Sequence, residues 1–271
     1  MLRRGVIPLR MAQAGYVHGG TDAREVARLE KQADFTSSFT FGSLDLKPGQ
    51  RVLDLATGVG AMGSRLLRAC PGIRLVGVDL SATQLGAARK NHPDLNVLRG
   101  DGTRLPFPDG TFDRVHCSWL LEHVPSPVAV LKDVRRVLKP GGFCQFIEVD
   151  NATFGTTPEC PSALEVLGRL NQAQQRGGGD PFVGRKMEGE LKAAGFERFE
   201  VTRTELVGDS KHALFFQAFV DEFAEIFEGL DESLGTEAMP LISKAIAELR
   251  ALPQQPGSSM RYTPTIARGW R

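Results

Sequence analysis

The chain predicts an α/β fold: a mostly parallel seven-stranded sheet with helices on both faces and a helical insertion near the C-terminus. Three observations carry this. Short apolar segments alternate with helical patterns between residues 51 and 149, the rhythm of βαβ units. A glycine-rich turn, DLATGVGAMG at Asp54–Gly63, follows the first of these segments. Beyond Val149 the rhythm changes, and a helical stretch from His212 to Leu252 separates the last two strands.

The elements follow in order. Val26, Leu29 and Ala33 recur at helical intervals and predict a helix from Arg24 to about Phe39. Strands are expected at Arg51–Ala56, Arg74–Asp79, Asn96–Arg99, Phe112–Ser118 and Phe143–Val149. Between them lie helices at Ala61–Cys70, at the segment capped by Ser81 and running to Asn91, and at the segment opened by Pro127 and closed by Lys139-Pro-Gly-Gly142. Helices at Ala163–Gln175 and Lys186–Ala194 precede a strand at Phe196–Val207, and a last strand lies within Met260–Ala267. Right-handed crossovers then place the ligand crevice at the carboxyl ends of the strands, beside Asp54, Asp79, Asp101 and Ser118.

Composition narrows the class. The formal charge of the 271 residues is +1, too small a field to gather nucleic acid or an anionic membrane surface. The four cysteines (Cys70, Cys117, Cys144, Cys160) are scattered without a C-x-x-C pair, so neither a zinc site nor a disulfide framework is expected. No apolar run reaches membrane-spanning length, and the N-terminal MLRRGVIPLRMAQAG lacks the apolar stretch of a signal peptide. The expected location is cytoplasmic, without stable membrane insertion.

Gly58, Gly60 and Gly63 spell G-x-G-x-x-G, which by itself fits a dinucleotide turn as well as an S-adenosylmethionine loop. Asp79, at the end of the second strand, suits the ribose hydroxyls of either. Asp54 separates the two: a carboxylate beside the glycines opposes an anionic pyrophosphate and suits a cationic sulfonium and ammonium. Asp101, after the third strand, can accept from an adenine amino group.

The successive segments VLDLATGVG, LVGVDLS, GDGTRLPFPDGTFDRV and VLKPGGF resemble the ordered motifs of class I S-adenosylmethionine-dependent methyltransferases. The resemblance covers roughly residues 50–150 and points to the small-molecule, ubiquinone/menaquinone-methyltransferase-like type. The segments YVHGG…RLEKQADF and GGDPFVGRKMEGELKAAGF are similar to parts of that broad group, although the leader differs from that of the quinone enzymes. The resemblance implies a Rossmann-like core at 46–207 and 255–271, an N-terminal helical lid segment at 1–45, and an insertion at 208–254 forming part of the substrate pocket.

It also implies roles. Gly58 and Gly60, with the backbone of Ala56 and Thr57, face the methionine half of the cofactor, and Asp54 orders that loop. Asp79 and Leu80 hold the ribose and adenine, and Asp101 with the Gly102 amide reads the adenine edge. The Ser118 carbonyl accepts from the ammonium, and Tyr16 and His18 close over the site. His123, then His18, are the candidates for a general base where the acceptor needs one. Capping or packing explains Glu122-His123 equally.

Asp150-Asn151 imitates the adjacent pair of a magnesium site, but the aspartate needed after the fourth strand is replaced by Ser118 and Trp119. No metal is expected. N-P-P-Y and Pro-Cys signatures of nucleic-acid methylation are absent. Phe215, Phe216, Phe219, Phe223 and Phe227 fall largely on one helical face, readable as core packing or as an aromatic lid. Arg185 and Lys186 suit solvent or an acidic substrate.

The expected activity is transfer of a methyl group from S-adenosyl-L-methionine to a small, apolar or aromatic molecule of natural-product or metabolite type, leaving S-adenosyl-L-homocysteine. The alternatives are a cofactor-binding protein of the same fold acting in cyclisation or regulation, and an NAD-dependent oxidoreductase. Homodimerisation stays open.

Overall fold

The computed structural model describes residues 23–271, the side chains of Phe39, Asp231 and Glu232 excepted. Its centre is a seven-stranded sheet. The strands β1 (Arg51–Leu55), β2 (Arg74–Asp79), β3 (Asn96–Arg99), β4 (Phe112–Ser118), β5 (Leu138–Glu148), β7 (Arg198–Arg203) and β10 (Thr265–Trp270) lie in the order β3-β2-β1-β4-β5-β10-β7. The first five are parallel, and β10 runs antiparallel to both β5 and β7. Helices α2 (Ala61–Ala69), α3 (Ala82–Asn91) and α4 (Pro127–Val137) make the crossovers.

Local chemistry explains these starts. The Ser81 hydroxyl caps α3 by accepting from the Gln84 amide at 3.2 Å. Pro127 occupies the first turn of α4, where its missing N–H costs nothing. In β1 all but the first residue are buried, as a central parallel strand covered on both faces requires. Leu53, Leu55, Val115, Phe146 and the inner face of α4 form the main core.

The last third departs from the expectation. The single strand expected at Phe196–Val207 is two, β7 and β8 (Leu206–Asp209), and the one expected within Met260–Ala267 is also two, β9 (Ser259–Tyr262) and β10. With β6 (Gly155–Thr157), which the sequence reading missed, β9 and β8 form a separate antiparallel sheet ordered β6-β9-β8. The pairings Arg203↔Thr265 and Leu206↔Tyr262 keep one register. The runs 198–209 and 259–270 are thus one two-stranded ribbon that crosses from the large sheet to the small one. It crosses at Pro264, a residue that cannot donate to a ladder.

The stretch expected to be helical from His212 to Leu252 is three helices: α7 (Ala213–Glu228), α8 (Asp231–Leu234) and α9 (Met239–Ala251). Breaks fall at Gly229 and at Gly235, whose φ of +85° suits glycine. Against α7 and α9 packs α5 (Pro161–Arg176), giving a second core of Phe216, Phe219, Phe227, Leu167, Ile242 and Met260. A short helix, α6 (Met187–Ala193), returns to the main sheet through Met187 and Leu191.

The helix α1 (Ala23–Thr40) touches both parts. Arg65 on α2 reaches its Glu30 and Asp34, each at 2.6 Å. On the other side Phe35 stacks on Phe215 and Phe219 with centroids 5.6 and 5.7 Å apart, and Gln32 donates to Glu222.

Candidate functional site

The order of strands reverses between β1 and β4, whose carboxyl ends lie side by side with Leu55 opposite Cys117. A crevice at such a reversal is where ligands of open α/β sheets bind. The turn leaving β1 is built around Asp54. Its buried carboxyl accepts from the Thr57 hydroxyl at 2.5 Å and from the Gly63 amide. A Cβ at Gly63 would lie 2.9 Å from Asp54 Oδ2. The third glycine of the motif therefore makes room for this carboxyl. Burial pushes the Asp54 carboxyl up to about 7, with the Thr57 and Gly63 hydrogen bonds opposing and the charge of Asp79 adding to the rise.

Ala56 and Gly58 sit in the left-handed region, at φ +57° and +54°, a conformation that side chains resist. The Asp79 carboxyl holds this turn. One oxygen accepts from the Gly58 amide at 2.9 Å and the other from Ser81 at 2.8 Å, with the Leu80 amide adding a third bond. Burial nevertheless raises its pKa. Val59 in the same loop packs under Val26, Leu29 and Ala33 of α1, so that helix covers the turn.

Asp101 lies just past β3, where one carboxyl oxygen accepts from the Thr103 amide and hydroxyl at 2.8 and 2.7 Å. Gly102 faces Leu55 and Val130 with room for ordinary contact, and Leu80, just past β2, is half-buried. Ser118 ends β4; its hydroxyl is 3.1 Å from His116 Nε2. Full burial drives the His116 imidazole down to about 4, so it is neutral near pH 7.

The turn after β4 holds a second polar cluster. Trp119 has φ +58°, strained for a bulky residue. Glu148, fully buried at the end of β5, accepts from the Leu121 amide at 3.0 Å and the Leu120 amide at 3.4 Å, with Glu122 N–H adding a third bond. Burial raises this carboxyl well above the usual range, against the three amides. His123 is buried in the same turn, its Nε2 3.6 Å from Glu122 Oε1. Glu122 in turn accepts from Gln174 Nε2 of α5 at 2.6 Å.

Arg185 and Lys186 are exposed to solvent, as expected, and Arg185 also clamps buried Asp150 with both Nε and a terminal nitrogen, at 2.9 and 2.7 Å. Lys186 pairs with Asp180 at 2.6 Å. Asn151 is held between Tyr262 and Asn171. Of the phenylalanine stripe, Phe216, Phe219, Phe223 and Phe227 are buried in the second core, as packing requires, and Phe215 meets Phe35. Tyr16 and His18 lie outside the described residues. From the sequence, Glu148-Val-Asp-Asn151 reads as a polar strand end facing the substrate, and His116 and Trp119 have no assigned role. The signal for Glu148 is an acid closing the run FCQFIEV, whose other polar residue is Gln145.

No helix among the described residues is long and apolar enough to cross a membrane. Residues 53–146 match the model of the methyltransferase domain family. Demethylmenaquinone methyltransferase from Beutenbergia cavernae is 40% identical over 122 residues, covering 45% of this chain and 48% of that protein. The same enzyme from Renibacterium salmoninarum is 40% identical over 108 residues, 40% of this chain and 45% of its own. The chain thus spans about half the length of these curated relatives. Among solved structures, the [4+2]-cyclase SpnF superposes with a TM-score of 0.54 at 22% identity, covering 89% of this chain and 81% of its own. Phosphoethanolamine N-methyltransferase 2 of Haemonchus contortus, in complex with S-adenosyl-L-methionine, gives 0.56 at 20% identity over 88% of this chain and 52% of its own. At such identities the two structures speak for the fold alone. The likeness to the methyltransferase domain family thus spans residues 53–146, the segment that holds the Asp54 turn at the reversal of the sheet.

Proposed function

We propose that the chain transfers the methyl group of S-adenosyl-L-methionine to a small, apolar or aromatic acceptor. The observation that carries this reading is the Asp54–Thr57–Gly63 turn, which seats a buried carboxyl against the third glycine of the motif. The names of the relatives favour a quinone-type aromatic ring as the acceptor class.

In this reading the backbone of Ala56, Thr57, Gly58 and Gly60 faces the methionine half of the cofactor. Asp79 and Leu80 hold the ribose and adenine, Asp101 and Gly102 read the adenine edge, and the Ser118 carbonyl accepts from the ammonium. The acceptor attacks the methyl carbon in line, the sulfur–methyl bond breaks, and S-adenosyl-L-homocysteine leaves. Positioning supplies most of the rate. His123, or His18 from the leader, takes the acceptor's proton when a hydroxyl or acidic carbon is methylated. Residues 1–45 act as the lid segment over the 46–207 and 255–271 core. The insertion at 208–254 contributes to the acceptor pocket.

Calorimetric titration of the purified chain with S-adenosyl-L-methionine, S-adenosyl-L-homocysteine and NAD tests the cofactor. The two sulfur compounds bind and NAD does not; binding of NAD alone overturns the reading. Labelled-methyl transfer to demethylated quinols then separates a methyltransferase from a protein that only binds the cofactor, in which no label moves.

A further inference from the structure

Three consecutive amides, those of Leu120, Leu121 and Glu122, point at one carboxyl from the neighbouring strand, that of Glu148. They follow Trp119 in the left-handed region and Leu120 at φ −110°, ψ −48°. A left-handed residue followed by a right-handed one turns successive N–H groups into a concave cradle for an anion. Here the protein fills its own cradle. The fit has a consequence for the crevice, because the strained Trp119 immediately follows Ser118 and the cradle ends at His123. A bulky residue persists at positive φ only when its surroundings over-determine it; the Trp119 amide donates to the Ile147 carbonyl at 2.9 Å, and Glu148 ties the following amides to the same strand.

Resting on the reading given under Proposed function, we propose that Glu148 is a positioning residue for the cofactor, acting through the Trp119–His123 turn. It touches no reacting atom. Its carboxyl fixes where the Ser118 carbonyl and the His123 ring stand relative to the glycine turn, since β4 and β1 end side by side. The other oxygen, Oε2, is buried without a hydrogen-bond partner, as is Oγ1 of Thr265, its register partner on β10. The oxygen that accepts from Leu120 and Leu121 is Oε1.

Trp119 is itself the reporter. The chain has two tryptophans, and Trp270 lies at the opposite end of β10, against Phe143. In the Trp270→Phe background, emission comes from Trp119 alone. Three variants of the full chain are compared by Trp119 emission and by calorimetric binding of S-adenosyl-L-homocysteine. Glu148→Gln keeps an accepting oxygen and leaves both readouts within about threefold or a few nanometres of the parent. Glu148→Asp withdraws that oxygen by one methylene and moves both, and Glu148→Leu removes it and weakens binding by about tenfold or more, the loss expected when buried donors are stranded.

Parent-like emission and binding in Glu148→Asp overturns the proposal, as does a Glu148→Gln variant as weak as Glu148→Leu. If Glu148→Leu does not fold, the contrast of Asp with Gln decides. Should the parent bind no S-adenosyl-L-homocysteine, the functional reading falls instead, and emission alone decides whether Glu148 holds the turn.

Discussion

At the carboxyl ends of β1, β2 and β5 polar side chains hold backbone: Asp54 takes the Gly63 amide, Asp79 those of Gly58 and Ser81, Glu148 those of Leu120 and Leu121. In the unit built by α5, α7 and α9 the core is mostly apolar side chains that hold one another, through Phe216, Phe219, Phe227 and Ile242. The first arrangement fixes directions, because hydrogen bonds are angular. The second supplies burial, which has no direction. A site that must aim a methyl group needs the former, and a wall around an apolar molecule needs only the latter.

The largest expected effect breaks the second arrangement. Phe219→Ala opens a cavity at a fully buried position and costs about 3–5 kcal/mol in urea denaturation. Binding of S-adenosyl-L-homocysteine by the fraction still folded stays near that of the parent. If binding disappears while the chain is folded, the two regions are coupled more tightly than their separate cores suggest.

The next breaks the first arrangement. Gly63→Ala places a methyl 2.9 Å from the Asp54 carboxyl and 3.1 Å from Leu95, for a loss of about 1–3 kcal/mol. Here the cofactor affinity falls further than the melting temperature does, and equal losses would make Gly63 a packing residue only.

A pH titration sharpens the comparison, because each region contains one buried carboxyl near neutrality. Asp54 is pushed up to about 7, and so is Glu222 on α7, by burial first and then with Arg28 and Gln32 opposing and Glu225 and Glu25 adding. Both folded values lie above the unfolded ones, so the folded state binds more protons between pH 4 and 7. Their contribution is complete below pH 4 and is lost as pH rises through 7. Asp54→Asn and Glu222→Gln should each flatten part of this fall, read as urea midpoints across that range; a slope unchanged in both discounts these carboxyls.

The smallest effect is at Lys31, whose exposed ammonium pairs with Glu225. Lys31→Ala should shift stability by no more than about 0.5 kcal/mol. A larger loss would make the α1–α7 contact an ionic clasp.

Legibility followed the range of the interactions. The alternation of 51–149 is local, so the parallel strands, the glycine turn and the Ser81 cap were all readable. The late strands were visible as β pattern, yet β7 and β8 read as one strand because their register is continuous across the bend. Only the partners, set by tertiary pairing, divide them. β6 has three residues, too few for a periodic signal. Glu148 was legible as part of a polar strand end, but its three amides lie 26–28 residues away in sequence. The exposure of Arg185 was readable, but its bond to Asp150 was not, because that partner is 35 residues distant.

The placement of β10 between β5 and β7 has a consequence for how the molecule comes into being. On the ribosome, β5 is made more than a hundred residues before the strand that will cover its edge, and the helices α7–α9 emerge first. Until residues 265–270 appear, β5 lies at an edge and β7 has no place in the sheet, the state in which strands recruit foreign partners. A stop anywhere in the final segment would therefore leave a product with its apolar units made, β5 uncovered and β7 unpaired, prone to clumping rather than merely inactive.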